Sequence, residues 1–394
     1  MAKKRASRVN MRQAVALAMD LMRIPGPSGR ESAVAAEIVK RLRKAGLRDS
    51  AIRFDAAHKR SCEGGECGNL IVRLPGTVRR PRRLFSAHMD TVPICVGSKP
   101  VVKGRRIVSA DPATALGGDD RAGTAVLLNT LLAILREKLP HPPLTFLWTV
   151  QEETGLQGAR HVSLAALGRP AMGFNYDGSG GIVRGATGDY RIRITVTGVP
   201  SHAGAAPEKG VSAVTVASLA IARLHKAGWI GAVRKGRRRG TSNVCIVEGG
   251  AATNVVCPRA VVHAEARSHD PAFRREIVRA YRRAFAAAAK AVRNDRGRCG
   301  KVTFRHALDY ESFCLAADEP VVVAAIRAAR AVGASAELKI ANGGVDANWL
   351  VAHGIPAVTL GAGNRHAHTA KECVDLKGFE HGAAMALYLA TDVS

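Results

Sequence analysis

The first half of the chain alternates between short apolar segments and longer segments whose apolar positions recur every three to four residues. The strand-like segments are 69–74, 83–88 and 144–150, and the helix-like segments are 13–23, 31–46 and 123–139. This alternation is typical of a mostly parallel sheet covered by helices, in which ligands bind at the carboxyl ends of strands. We therefore predict an α/β fold with a mostly parallel mixed sheet.

The pattern changes after about residue 188. Residues 190–198 alternate between polar and apolar side chains, as in a strand with one exposed face. Further helix patterns lie at 212–227 and 271–293, with strand patterns near 243–248 and 261–267, and the first rhythm resumes from about residue 302. We therefore predict an α+β domain at 188–299, inserted into a discontinuous α/β domain formed by 1–187 and 300–394.

Composition places the chain among globular proteins. It has 394 residues, 47% of them hydrophobic, which is enough for two domains. No apolar run reaches the roughly 18 residues that span a bilayer, and the basic start is followed by no cleavage site. Its eight cysteines are widely spread, which favours reduced thiols over a disulfide scaffold, and incidental cysteines at 62 and 67 over a metal clip. We expect a cytoplasmic protein without membrane contact.

The formal net charge of +27 raises the separate possibility of a nucleic-acid partner. The strongest basic runs are 79–83 and 234–239. Neither run contains the aromatic residues on which single strands stack, and aromatics make up only 4% of the chain. We therefore interpret these runs as solvated arginine-rich loops and do not expect nucleic acid as a partner.

Acidic and imidazole side chains occur in several motifs, most of them where a predicted strand ends. This set consists of His88, Asp90, Asp119, Glu152, Glu153, Asp177 and His368. Carboxylate and imidazole without thiolate are the ligands expected of a hydrolytic zinc or cobalt centre. Jointly they suit two divalent ions that share one bridging carboxylate.

Each motif alone has a simpler interpretation. Asp90 could hold a turn or orient His88 through its second ring nitrogen. Asp119 and the adjacent Asp120 could bind a cation or cap the following helix. Glu152 could supply a general base beside a ligand, or be a solvated loop acid. The inference therefore depends on the conjunction of the motifs.

The motifs His88-Met-Asp90, Gly118-Asp-Asp-Arg-Ala-Gly123, Glu152-Glu-Thr-Gly155, Tyr176-Asp-Gly178 and His368-Thr-Ala-Lys-Glu372 together resemble those of a known family. It is the dinuclear zinc exopeptidase family of tripeptidase T, glutamate carboxypeptidase, acetylornithine deacetylase and succinyl-diaminopimelate desuccinylase. The similarity covers nearly the whole chain, and residues 149–158 lean towards the tripeptidase T-like branch. The resemblance implies that the inserted domain is a lid and dimerisation domain, and that the protein forms a homodimer.

The resemblance also implies roles for single residues. His88 and Asp177 would hold one Zn²⁺ or Co²⁺ ion and Glu153 and His368 the other, with Asp119 bridging. His366 is the alternative for the last ligand. In the family, however, a Glu lies four residues after this ligand, and Glu372 has that spacing from His368.

Other matched residues would act on substrate or position a ligand. Glu152 would be the general base and Asp90 would orient His88. In the inserted domain, His202, Asn254 and Arg267 would bind substrate, with Arg267 gripping its free carboxylate.

We therefore expect a metallopeptidase that removes the N-terminal residue of short peptides. The alternatives are a dipeptidase or carboxypeptidase, and an N-acyl-amino-acid amidohydrolase. A hypothesis from another class is a basic, non-catalytic nucleic-acid-binding module.

Overall fold

The computed structural model describes residues 9–393, so Lys3, Lys4, Arg5 and Arg8 of the basic start lie outside the described chain. The helices are α1 Met11–Met22, α2 Ser32–Lys44, α3 Ala57–Arg60, α4 Gly118–Glu137, α5 Gln157–Arg160, α6 Leu164–Leu167, α7 Ala213–Lys226, α8 Pro271–Ala291, α9 Pro320–Ala331, α10 Ala347–Ala352 and α11 Leu376–Thr391. The strands are β1 Ile52–Phe54, β2 Leu70–Leu74, β3 Arg83–His88, β4 Pro100–Lys103, β5 Arg106–Ser109, β6 Leu144–Thr149, β7 Met172–Asn175, β8 Ile182–Ala186, β9 Gly188–Thr197, β10 Gly231–Lys235, β11 Arg238–Gly249, β12 Arg259–Ser268, β13 Lys301–Tyr310, β14 Phe313–Cys314, β15 Leu338–Ala341, β16 Ala357–Leu360, β17 Asn364–Arg365 and β18 Cys373–Asp375.

The described chain forms two compact units. The first unit contains residues 9–185, 314–341 and 345–393, and the second contains 186–313 and 342–344. Within residues 9–393, no helix combines the length and the apolar character needed to cross a membrane.

The first unit is built on a nine-stranded sheet in the order β1-β2-β6-β3-β7-β16-β8-β14, with β15 pairing with β8. The four central strands, β6, β3, β7 and β16, run parallel. Strand β2 pairs antiparallel with β6, β8 pairs antiparallel with β16, and β1 pairs antiparallel with β2. Helices α1 and α11 pack against α4, which packs against β3. The predicted fold class, a mostly parallel mixed sheet with flanking helices and an inserted α+β unit, is confirmed.

Aromatic rings fill the centre of this sheet. The ring of Phe85 on β3 lies 5.5 Å from that of Phe146 on β6 and 5.4 Å from that of Phe174 on β7. All three rings are fully buried, as expected for parallel strands covered on both faces. This packing fixes β3 against its two neighbours, so the three strand ends are held at one edge.

The second unit is a five-stranded antiparallel sheet in the order β10-β11-β12-β9-β13. Helices α7 and α8 cover one face, where Ile192, Ile194 and Val196 are buried. Asp270 caps α8 by accepting hydrogen bonds from the backbone N–H groups of Ala272 and Phe273.

The second unit extends beyond the boundary at 299 that the sequence predicts. Strand β13 pairs with β9 from Lys301 to Tyr310 and forms an edge of the five-stranded sheet, so residues 300–313 belong to this unit. The interpretation of run 234–239 as a solvated loop is also wrong. Arg234 and Lys235 end β10, Arg238 and Arg239 begin β11, and the two strands form a hairpin.

Candidate metal centre and active site

Four of the candidate side chains follow neighbouring parallel strands at one edge of the first unit's sheet. His88 is the last residue of β3, Glu152 and Glu153 come shortly after β6, and Asp177 comes shortly after β7. Strand β3 lies between β6 and β7. Because parallel strands place their carboxyl ends at the same edge, the fold brings these side chains together.

His88 is the centre of the first group of candidate ligands. Its Nε2 lies 3.3 Å from Asp119 Oδ1, 3.8 Å from Asp177 Oδ1 and 4.0 Å from Glu152 Oε2. Its Nδ1 lies 3.1 Å from the backbone oxygen of Asp90 and 3.3 Å from Asp90 Oδ1. A proton on Nδ1 is thus bound by Asp90, which leaves the Nε2 lone pair directed at the acids.

His368 is the centre of the second group. Its Nε2 lies 2.9 Å from Glu153 Oε1 and 3.5 Å from Asp119 Oδ2. Asp119 therefore has one oxygen near each histidine. Among the described residues, three groups offer donor atoms that lie within 4.8 Å of one another. They are His88 with Asp119 and Asp177, Asp119 with Glu153 and His368, and His88 with Glu152 and Glu153.

The electrostatics of this cluster fit bound cations. Burial raises the pKa of Asp177 to about 7 and that of Glu152 well above its usual range. Burial also acts to raise the pKa of Asp119, but the adjacent His88 ring outweighs it and the pKa falls. Asp119 Oδ1 is buried and makes no hydrogen bond within the described chain. Crowded carboxylates with an unsatisfied oxygen and two imidazoles form a donor set that suits divalent zinc or a similar ion.

Asp90 holds both the histidine and the loop that carries the two glutamates. Its Oδ1 accepts a hydrogen bond from the backbone N–H of Glu152 at 3.0 Å, and its Oδ2 accepts one from that of Glu153 at 3.1 Å. The hydroxyl of Ser28 donates to the same Oδ2 at 2.6 Å. Asp90 is fully buried, so its carboxylate has little freedom to move.

Two further carboxylates, Glu372 and Asp120, hold the start of α4, which carries Asp119. Glu372 accepts hydrogen bonds from the backbone N–H of Gly117 at 2.7 Å and of Asp119 at 2.8 Å. Asp120 accepts from the backbone N–H of His88 at 3.2 Å and of Gly123 at 3.0 Å. Asp120 thus caps the helix, whereas Asp119 faces the cluster. The only sign of this role in the sequence is the spacing between Glu372 and His368.

Glu31 is a positioning residue that the sequence analysis missed. It is fully buried, and its Oε1 accepts hydrogen bonds from the backbone N–H of Gly29 at 2.8 Å and of Gln151 at 3.0 Å. Gln151 has a φ of 53°, an uncommon conformation for a residue other than glycine, and it directly precedes Glu152. Burial raises the pKa of Glu31 to about 7. No local sequence pattern indicates this contact.

A cavity of about 420 Å³ opens beside Asp119 and Asp177. Its wall also contains Lys339, Asn364 and the exposed His366. His366 forms no part of the three candidate ligand groups described above. The volume suits a ligand of a few residues.

The second unit separates the three predicted substrate-binding residues into two places. His202 forms a β-bridge with Val255, so it lies beside Asn254 just before the start of β12 at Arg259. Arg267 lies near the other end of β12, which runs from Arg259 to Ser268, and this separation is about 26 Å at roughly 3.3 Å per residue. Within one chain, His202 and Asn254 are thus together, and Arg267 is at the opposite end of the sheet.

The structure therefore gathers all five predicted ligands, Glu152 and Asp90 in the first unit. Their roles as ligands, base and orienting group stay predictions.

A family model and three known proteins are similar to this chain. A model of the Peptidase family M20/M25/M40 matches residues 84–392. The uncharacterized protein YqjE of Bacillus subtilis is 34% identical over 334 residues, which cover 84% of this chain and 86% of that protein. A tripeptidase from Staphylococcus aureus is 31% identical with a TM-score of 0.86, covering 98% of this chain and 99% of its own. The aminopeptidase PepT from Bacillus cereus is 31% identical with a TM-score of 0.82, covering 97% and 98%.

Replacing Glu372 should weaken metal binding although this residue is not a predicted ligand. Glu372→Ala removes the acceptors of two backbone N–H groups that fix Asp119, so we expect a loss of metal affinity of about 10- to 100-fold. Glu372→Gln keeps one acceptor oxygen, so its metal affinity should lie between those of Glu372→Ala and wild type. Zinc affinity is measured by competition with a chromophoric chelator. The exposed Glu380→Ala on α11 is the control for lost charge, and an affinity of Glu372→Ala equal to that control would contradict the positioning role.

Proposed function

This chain belongs to the peptidase family M20/M25/M40, and we propose that it is an aminopeptidase that removes the N-terminal residue of short peptides with two divalent metal ions. Family membership makes it a metallopeptidase that hydrolyses peptide bonds, and the resemblance to the tripeptidase T-like branch is confirmed. The observation that carries the proposal is the cluster in which two groups of ligands share Asp119. The similarity to the S. aureus tripeptidase over almost the whole chain supports the choice of substrate.

In this proposal His88 and Asp177 hold one ion, Glu153 and His368 hold the other, and Asp119 bridges them. The position of Asp119 supports this assignment, because its two oxygens face the two histidines separately. Zinc suits the nitrogen and oxygen donors, and cobalt is the expected substitute. Bound there, the two ions supply Lewis acidity that polarises the scissile carbonyl and activates the attacking water.

Glu152 is the proposed general base. It directly precedes the proposed ligand Glu153, and its backbone is fixed by Asp90, so its carboxylate is presented at the ligand cluster. It takes a proton from the attacking water and later delivers that proton to the nitrogen of the leaving amine. Asp90 acts through His88 and through the loop, and we assign it a positioning role.

Arg267 is the proposed binding group for the C-terminal carboxylate of the peptide. Its planar guanidinium suits two parallel hydrogen bonds to a carboxylate. A fully extended tripeptide spans only about 10 Å, so it cannot reach both Arg267 and the His202 and Asn254 pair of the same chain. This separation supports a homodimer in which His202 and Asn254 serve the site of the partner subunit.

The remaining expectations fit the same proposal. All eight cysteines lie in the described chain and are unpaired, which supports a cytoplasmic location. The complete set of candidate ligands and the base, together with family membership, argues against a non-catalytic nucleic-acid-binding module. A dipeptidase, a carboxypeptidase and an N-acyl-amino-acid amidohydrolase use the same metal chemistry and become outcomes of the test.

Product analysis tests the reaction directly. Zinc- or cobalt-loaded protein is incubated with matched dipeptides, free tripeptides, N-acetylated tripeptides and N-acetyl-amino acids, and the products are identified by mass spectrometry. We expect release of the first residue from free tripeptides, because an aminopeptidase needs a free N-terminus. Release of the last residue would indicate a carboxypeptidase, and cleavage of the acylated amino acids alone would indicate an amidohydrolase.

The same assay includes Glu152→Gln as the test of the base. This variant keeps the shape of the side chain but cannot accept the proton, so we expect turnover to fall by about 10²- to 10⁴-fold. Its metal content, measured by elemental analysis, should equal that of wild type. Near-normal turnover would remove Glu152 from the role of base, and loss of metal would instead make it a ligand.

Light scattering tests the dimer. The chain has a mass of 41.6 kDa, and we expect twice that mass for the metal-loaded protein at assay concentration. If the protein is a dimer, an equal mixture of His202→Ala and Glu152→Gln chains should regain activity, because every mixed dimer has one site that combines an intact base with the partner's intact His202. A monomeric mass would contradict the action of His202 across an interface.

A further inference from the structure

The basic run at 234–239 is divided by the geometry of its hairpin. Lys235 and Arg238 face the helices: Lys235 Nζ lies 4.6 Å from the ring centroid of Trp229, and Arg238 Cζ lies 4.9 Å from that of Phe273. Arg238 also forms an ion pair with Glu276 on α8. These two cations therefore have structural partners within the second unit.

The neighbouring arginines of the run lie on the opposite face. Arg234 and Arg239 are cross-strand partners on β10 and β11. Thr241, two residues after Arg239, shares its face and is the cross-strand partner of Arg267 on β12. Three arginines from three adjacent strands thus lie on one face, at the same end of the sheet.

These arginines line a cavity of about 170 Å³. Its wall also contains His269, whose Nε2 lies 3.1 Å from Asn342 Oδ1. None of the described residues that line the cavity is acidic. The volume is below the roughly 300 Å³ at which pockets for whole ligands begin, so it suits one side chain or a similar small group.

The guanidinium groups around this cavity have unused hydrogen-bonding capacity. Arg267 Nη2 donates to Glu265 Oε2 at 2.8 Å, but Arg267 Nε is buried and has no hydrogen-bond partner in the described chain. Neither Arg234 nor Arg239 forms an ion pair with any residue within 9–393, and Arg239 uses one nitrogen, Nη1, to donate to the backbone oxygens of Gly236 and Arg238. An unsatisfied buried donor is costly, and a bound anion would satisfy it.

We propose that this cavity is a subsite for a second carboxylate, so that the enzyme favours peptides whose C-terminal residue is glutamate or aspartate. The inference rests on the proposed function, in which Arg267 binds the C-terminal main-chain carboxylate. Arg234 and Arg239 then face the acidic side chain of the same residue. Their planar guanidinium groups match a carboxylate with two hydrogen bonds each.

The chemistry excludes two simpler explanations of the run. Solvated loop charges would not alternate between a helix-packed face and a cavity, as this hairpin does. A polyanion such as nucleic acid needs an extended basic groove, whereas this cavity accommodates about one side chain. The two further arginines that line the cavity beside Arg267 therefore point to the side chain of the terminal residue.

Isosteric substrates test this preference. kcat/KM is measured for Ala-Ala-Glu and for Ala-Ala-Gln, which differ only in the charge of the last side chain. For wild type we expect the glutamate peptide to be favoured by about tenfold, the range of a partly exposed charged hydrogen bond. Arg234→Gln and Arg239→Gln should each bring this ratio towards one. Arg237→Gln, in the exposed turn of the same hairpin, removes an equal charge and should keep the wild-type ratio.

The outcomes separate the two proposals. Equal kcat/KM for the two peptides, or the same loss of preference in Arg237→Gln as in Arg239→Gln, would overturn the subsite while the aminopeptidase proposal stands. If no tripeptide is cleaved, the proposed function fails. The cavity is then tested by calorimetry, which compares the affinity for glutarate, with two carboxylates, with the affinity for butyrate, with one. Tighter binding of glutarate that is lost in Arg239→Gln would support a dicarboxylate site, and equal binding would overturn it.

Discussion

The structure depends on holding four carboxylates close together against their mutual repulsion. Asp119, Glu152, Glu153 and Asp177 converge on two imidazoles at one edge of a buried sheet. Such a cluster persists only if the fold fixes each acid and if cations neutralise the charge. Strand ends bring the acids together. A surrounding set of buried carboxylates accepts hydrogen bonds from backbone N–H groups and so fixes the segments that carry these acids.

That surrounding set explains why so many buried acids occur near one site in a strongly basic protein. Asp90, Asp120, Glu372 and Glu31 each accept hydrogen bonds from two backbone N–H groups of the segments that carry the cluster or lie beside them. A carboxylate that accepts such bonds can remain buried at a tolerable cost. The basic residues behind the net charge of +27 lie elsewhere, some of them in the hairpin of the second unit.

The sequence predicts the parts of this arrangement that follow from continuous local patterns. Strands β3 and β6 are buried on both faces, so their apolar runs end where the strands end, and His88 and Glu152 could be located from those ends. Contacts between distant segments leave no local pattern. Glu372 reaches Gly117 across 255 positions and Glu31 reaches Gln151 across 120, so neither hydrogen bond could be predicted. The sequence pattern places β13 in the wrong unit because its partner β9 lies far away in sequence.

In the proposed metal centre, one cluster holds two ions with Asp119 between them. The most direct measurement is anomalous X-ray scattering at the zinc absorption edge from crystals of the zinc-loaded protein. We expect two peaks per chain, one beside His88 and Asp177 and the other beside Glu153 and His368, with Asp119 in contact with both. A single peak, or peaks remote from Asp119, would contradict it.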